Sequence, residues 1–99
     1  MKKESKFQGD LRKEIEKRFP GAMVLKNDSS YVQGIPDLTV FYKDKWATLE
    51  VKRSYEDRKN PRPNQEKYVE KMNNMSFSRF IYPENKEEVL DELQRLFES

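Results

Sequence analysis

The chain contains neither cysteine nor histidine among its 99 residues. Their absence excludes disulfide bonds, cysteine-based zinc sites, a cysteine or histidine nucleophile, and a Ser-His-Asp triad. Any acid–base or metal chemistry must therefore use aspartate, glutamate, lysine, tyrosine or solvent.

Long apolar segments and a strong charge of one sign are also missing. No apolar run approaches the roughly 18–20 residues that span a bilayer. The basic N-terminus is not followed by the apolar segment of a signal peptide. We therefore expect a cytoplasmic protein that does not enter a membrane. The 20 basic and 18 acidic residues give a net charge of +2, which does not by itself indicate nucleic-acid binding.

The length suits a single α/β domain over residues 1–99, with one modest core. Apolar residues at helical spacing predict helices over residues 4–19 and 86–97. A third helix is predicted to have Pro63 in its first turn and to turn Tyr68, Val69, Met72 and Met75 inward. The predicted strands cover residues 23–25, 38–42, 46–52 and 77–82. The order is α-β-β-β-α-β-α, with residues 53–62 as a charged loop.

Two short motifs on neighbouring strands bring carboxylates and an amine together. Asp37 precedes the second strand, whereas Glu50 and Lys52 share one face of the third because strand side chains alternate. If Asp44 and Lys45 form a two-residue turn, Asp37 lies opposite Lys52 and diagonal to Glu50. Carboxylates bind Mg²⁺ or Mn²⁺, and the amine can steer or activate an attacking water. The pattern is typical of a metal-dependent nuclease.

A simpler interpretation of the same residues is a surface ion pair across the two strands. An acid-x-Lys triplet alone means little, because residues 4–6, 57–59 and 84–86 also fit it. Only the triplet at residues 50–52 lies on a predicted strand beside core residues, with Pro36-Asp37 at the start of the neighbouring strand. Charges clustered in an apolar hairpin cost desolvation free energy unless a cation or substrate compensates, which favours a functional site.

Three motifs and the order of the elements form a larger pattern. The motifs are Gly34-Ile35-Pro36-Asp37, Leu49-Glu50-Val51-Lys52 and Pro63-Asn64-Gln65. With a first helix opened by Glu4 and a first strand ending in Lys26, they resemble the PD-(D/E)xK nuclease superfamily. Within it, the chain resembles the small stand-alone VRR-NUC proteins of phages and bacteria. It departs from them in lacking the glycine-rich turns often found at the hairpin and after Glu-x-Lys. Arg62 also stands where Ser or Thr is common.

The resemblance implies a restriction-endonuclease-like core, in which helices flank a mixed central sheet, and a DNA endonuclease dependent on Mg²⁺ or Mn²⁺. It implies selectivity for branched DNA such as Holliday junctions, in a bacterial or phage-infected host cell. Asp37 and Glu50 would be metal ligands, with the Val51 carbonyl as a third. Lys52 would orient the water or stabilise charge on the phosphate. Gln65 would position Lys52, the water or the phosphate, or else be an exposed helix residue.

Other residues are candidates for supporting roles. Glu4 would complete the metal site or be a solvated acid in the first helical turn, with Glu14 and Glu16 as competitors on charge alone. Tyr31 and Tyr55, both in predicted loops, could stack on an unpaired base. The residues that could contact DNA phosphates are Lys26, Arg53, Arg58, Lys59 and Arg62.

A two-fold symmetric junction suits a homodimer that carries two sites. Candidate interface residues, which core packing explains equally well, are Met75, Phe77, Phe80 and Phe97. The alternatives are a monomeric nicking or flap-type nuclease and a non-catalytic DNA-binding module. A sequence-specific restriction enzyme is disfavoured, because the chain has no room for a separate recognition domain.

Overall fold

The computed structural model describes residues 3–99, with side chains from Ser5 onward, as a four-stranded sheet with helices on both faces. Within residues 3–99, no helix has the length and apolar character needed to cross a membrane. The elements are α1 Lys3–Arg18, β1 Met23–Lys26, β2 Leu38–Tyr42, β3 Lys45–Val51, α2 Tyr55–Arg58, α3 Gln65–Met75, β4 Ser78–Ile81 and α4 Lys86–Phe97, with a 3-10 turn at Pro83–Asn85.

The strands lie in the order β1-β2-β3-β4. The β1–β2 and β2–β3 pairs are antiparallel, whereas β3 and β4 are parallel. A parallel pair needs a crossover connection, and α3 provides it here. The structure thus confirms an α/β fold in which helices flank a mixed sheet, and it adds the short helix α2 to the predicted order.

The sheet divides the molecule into two packed layers, and its strand β3 is buried on both faces. Ala47, Leu49 and Val51 face the main core. Thr48 and Glu50 point the opposite way, beneath α3, where the Thr48 hydroxyl lies 3.5 Å from the Met72 sulfur. The main core is completed by α1, the residue that follows it and α4, through Leu11, Ile15, Phe19, Val89, Leu90, Leu93 and Phe97. One face of β3 therefore stabilises the fold, and the other carries polar groups.

Helix α3 packs on β3 and β4. Beyond it, on the same side of the sheet, Met23, Leu25 and Phe41 are exposed, and the strand register places Met23 opposite Phe41. We call these three residues the open face. They form an apolar surface on the side of β1 and β2 that α3 leaves uncovered.

The structure corrects the predicted set of interface residues. Phe77, Phe80 and Phe97 are buried within the chain, so they are not available to a partner. Met75 is exposed, and the prediction that it faces inward on α3 was wrong. It lies at the last residue of the helix, where the chain already turns toward β4.

The hairpin turn also differs from the prediction. Tyr42 pairs with Lys45, so the two turn residues are Lys43 and Asp44. Leu38 pairs with Leu49, and continuing this register places Asp37 opposite Glu50 rather than opposite Lys52. The predicted register was wrong by two residues. Since two is the period of a strand, the side chains keep their predicted faces.

The segment after β3 contains a helix where a loop was predicted. The Ser54 hydroxyl accepts a hydrogen bond from the Asp57 amide at 3.3 Å and caps α2. This is the Ser-x-x-acid pattern that opens helices, a signal present in the sequence. Helix α3 begins at Gln65, with Asn64 as its N-cap, so Pro63 precedes the helix and is not in its first turn.

We expect the turn residue Lys43 to destabilise the fold. Its φ of 57° is left-handed, a conformation that costs a non-glycine residue about 1–2 kcal/mol. The Lys43 ammonium also lies 5.2 Å from the centre of the Tyr42 ring. Substitution by glycine or by alanine removes this contact equally, so comparing the two variants isolates the effect of the backbone conformation. Lys43→Gly should exceed Lys43→Ala in free energy of unfolding by about 1 kcal/mol. Urea denaturation measures the difference, and equal stabilities would contradict the strain.

Candidate active site

A polar cleft of about 640 Å³ opens at the end of the sheet where β2 begins and β3 ends. Asp37, Glu50, Lys52 and Gln65 all line it. The loop before β2 and the segment between β3 and α3 form its walls. The cleft therefore gathers the three motifs singled out in the sequence, although they come from three separate elements.

Asp37 is held in place through both its side chain and its backbone. Its Oδ2 atom accepts a hydrogen bond from the Val51 amide at 2.8 Å, so the carboxylate extends the β2–β3 ladder by one bond. Its carbonyl accepts from the Asn27 amide at 2.7 Å. The Asn27 side chain donates to the Pro36 carbonyl at 2.9 Å and to the Thr39 hydroxyl at 2.8 Å. Asn27, which the sequence reasoning did not single out, thus anchors the Pro-Asp motif to the end of β1.

The amide of Gln65 joins Glu50 to Lys52. Its Nε2 donates to Glu50 Oε2 at 2.9 Å, and its Oε1 accepts from Lys52 Nζ at 2.8 Å. The same Oε1 atom also accepts from the Arg62 amide at 2.8 Å. All the donor and acceptor atoms of the Gln65 side chain are therefore engaged at once, which fixes its orientation.

These three side chains are buried. Glu50 is 2% exposed, Lys52 is 7% exposed and Gln65 is 9% exposed. The structure thus excludes both the surface ion pair and the solvent-exposed Gln65 that were alternatives from sequence. Burying a carboxylate and an ammonium costs free energy that hydrogen bonds offset only in part. Such a cluster keeps two opposite charges oriented toward one cleft.

The basic residues after β3 are mostly paired with acids. Arg53 donates to Asp57 at 2.6 and 3.2 Å, Arg58 bonds Glu66 at 3.2 Å, and Lys59 lies 3.3 Å from Glu56. The Arg58 guanidinium also stacks on the Phe80 ring at 3.9 Å. Hydrogen bonding to Arg53, together with the charges of Arg53 and Lys52, holds the pKa of the Asp57 carboxyl below its usual range.

Of the other residues that could contact DNA, some line the cleft and others lie outside it. Arg62 lines it, and Lys26 is exposed at the end of β1. Tyr31 is 86% exposed on the loop before β2. Tyr55 is exposed at the start of α2, with its ring 6.0 Å from that of Tyr82. The cleft walls carry further polar residues that no motif marks in the sequence, which are Ser29, Gln33, Asp57 and Asn60.

The Glu4 side chain lies outside the described residues. Its competitors do not line the cleft: Glu14 pairs with Lys86 of α4 at 2.8 Å, and Glu16 pairs with Arg12 at 3.3 Å. From Ser5 to Ser99, no group of three or more acidic side chains is close enough to hold a metal ion. Within that range, a cation in the cleft would therefore draw on Asp37, Glu50, backbone oxygens and water.

Comparisons of the chain with protein-family profiles, with curated proteins and with solved structures found no match.

Gln65→Leu tests whether the amide holds the cluster together. The substitution keeps the side chain's approximate size but removes the hydrogen bonds that Gln65 makes to Glu50 and Lys52, so we expect stability to fall by about 1–3 kcal/mol. Gln33→Leu is the matched control, because Gln33 lines the same cleft but is exposed. Urea denaturation of both variants gives the comparison. Equal free energies of unfolding would contradict a linking role for Gln65.

Proposed function

We propose that this protein is a Mg²⁺- or Mn²⁺-dependent DNA endonuclease of the PD-(D/E)xK type. The proposal includes a restriction-endonuclease-like core, a VRR-NUC-like domain over residues 1–99, and hydrolysis of a phosphodiester bond by in-line attack of water. The observation that supports it best is the buried Gln65 amide, which holds Glu50 and Lys52 beside Asp37 in a polar cleft.

The donor atoms suit a hard divalent cation. Carboxylate and carbonyl oxygens are the ligands that Mg²⁺ and Mn²⁺ prefer. Asp37 Oδ2 accepts one hydrogen bond from the Val51 amide, and the remaining lone pairs of the carboxylate would be available to a cation. A cation would also offset the cost of burying the Glu50 carboxylate. We assign Asp37 and Glu50 as ligands, with the Val51 carbonyl as a third and Glu4 as a further candidate.

A bound cation would lower the pKa of a water molecule and reduce the negative charge of the phosphate. The chain supplies the remaining functions. Lys52 Nζ donates a hydrogen bond to the attacking water or to a phosphate oxygen on which charge builds. Gln65 fixes the direction of that ammonium group through its Oε1 atom. Burial of Lys52 strengthens the electrostatic interaction of its ammonium with the water or the phosphate, because solvent screens a buried charge less.

We further propose that the substrate is branched DNA of the Holliday-junction type, and that two copies of the chain act on it. A symmetric junction presents two equivalent strands, whereas the residues from Ser5 to Ser99 contribute one cleft that holds Asp37, Glu50 and Lys52. The second copy would pack on the open face, since a contiguous exposed apolar surface marks an interaction site. Its edge strand β1 is only four residues long, so side-chain packing would supply most of the contact.

Cleavage assays with Glu50→Gln test the site directly. The variant keeps a side chain of the same shape but removes a charge, so we expect the cleavage rate to fall at least about 10²-fold with the fold intact. The control is Glu88→Gln, an exposed acid on α4. Both are compared with wild type on labelled four-way junctions, linear duplexes and flaps, with Mg²⁺, Mn²⁺ or EDTA.

The same assay separates the alternatives. Paired cuts on the junction that require metal would support a resolvase-like enzyme. Cleavage of other DNA alone would favour a nicking or flap-type nuclease, and binding without cleavage would favour a non-catalytic DNA-binding module. Full activity of Glu50→Gln would overturn the site.

Phe41→Glu tests the open face. A charge in the middle of an apolar contact should prevent association, so we expect a monomer by light scattering where wild type is a dimer. Paired cuts on a junction should be lost while single-strand cuts persist. Asn74→Glu is the control, because Asn74 is exposed on α3 and is not part of the open face. A monomeric wild type, or a dimeric Phe41→Glu variant, would contradict the proposed interface.

A further inference from the structure

Gly34, at the start of the Pro-Asp motif, packs directly against the turn that precedes α3. A Cβ atom at this position would lie 2.6 Å from Asn64 Cβ, 2.7 Å from the Pro63 carbonyl oxygen and 2.9 Å from the Asn64 carbonyl carbon. Two of these three atoms belong to the backbone, so a side-chain rotation cannot remove the clash. Gly34 also has a φ of 91°, which favours glycine.

The turn against Gly34 is closed on itself by two hydrogen bonds. The backbone amide of Gln65 donates to the Arg62 carbonyl at 3.2 Å. The backbone amide of Arg62 donates to the side-chain oxygen Oε1 of Gln65 at 2.8 Å. Between them, Asn64 has a left-handed φ of 72°, and its side chain makes no capping hydrogen bond to α3. Two hydrogen bonds thus join Arg62 to Gln65, and the turn between them packs against Gly34.

We propose that Gly34 is a positioning residue for the Glu50–Gln65–Lys52 cluster. Its missing side chain lets the turn approach closely enough for the Gln65 amide to reach both charged groups. A methyl group would push the turn away by roughly an ångström, since carbon atoms in contact lie about 3.5–4 Å apart. Gln65 would move with it, away from Glu50 and Lys52. The catalytic consequence rests on the proposed nuclease function, whereas the structural coupling does not.

The test compares Gly34→Ala with Gly21→Ala. Gly21 has nearly the same backbone conformation, with a φ of 95°, but a Cβ there would meet nothing within 4 Å. Both variants carry similar backbone strain, and only Gly34→Ala crowds the turn. The side-chain amide of Gln65 reports the displacement by NMR, and its signals are assigned by their loss in Gln65→Leu.

We expect Gly34→Ala to shift the Gln65 side-chain amide signals and to speed their exchange with solvent, whereas Gly21→Ala leaves both unchanged. We also expect Gly34→Ala to lower kcat for DNA cleavage about 10²-fold, with a smaller change in KM, because an ångström of misplacement has this effect on a reacting group. Unchanged Gln65 signals in folded Gly34→Ala, or an equal change in Gly21→Ala, would overturn the proposal.

If Gly34→Ala does not fold, the double variant Gly34→Ala/Asn64→Gly takes its place. The second substitution removes Asn64 Cβ, which is the nearest clashing atom. Glycine at position 64 still accepts the left-handed φ of this turn. A folded double variant with displaced Gln65 signals would support the crowding, because the two backbone atoms still meet the added Cβ. A folded double variant with the Gln65 signals of wild type would overturn it. If wild type cleaves no DNA with any metal, the proposed function fails, whereas the NMR comparison still decides the role of Gly34.

Discussion

The arrangement of the cleft depends on one amide side chain, that of Gln65. It contacts a carboxylate through its nitrogen and an ammonium through its oxygen, so it holds Glu50 and Lys52 without requiring them to pair directly. A neutral bridge suits this position, since a third charge in so buried a place would unbalance the other two. The start of α3, the end of β3 and the loop before β2 are consequently tied to each other around a few polar atoms.

This polar cluster is tolerated because β3 separates it from the main core. The residues of β3 that face α1 and α4 are apolar, and those that face α3 include Thr48 and Glu50. Farther along the same polar side, Thr48 and Ser78 bond to each other through their hydroxyls at 2.7 Å. The apolar layer carries most of the stability, so the polar layer is free to hold groups that a hydrophobic core would exclude.

Periodicity in the sequence predicts the main elements well, because apolar spacing reflects burial. The bounds of α4 and β2 agree with the prediction, and α1 differs by one residue at each end. Register is harder to predict: without glycine, nothing marks Lys43-Asp44 over Asp44-Lys45 as the turn. Residues 36–37, 50–52 and 65 could be chosen from motifs and resemblance. The burial of Gln65 and the anchoring by Asn27 depend on contacts between distant segments, which spacing along one chain does not encode.

The ion pairs around α2 have a consequence for any polyanion that binds beside the cleft. Arg53, Arg58 and Lys59 already have carboxylates of the same chain as counterions. A phosphate that binds them must displace a fixed acid, which stays nearby and repels it, rather than release mobile salt ions to solution. Affinity would then vary less steeply with ionic strength than the number of basic residues suggests. Weak, salt-tolerant contacts of this kind leave discrimination between ligands to their shape rather than to their charge.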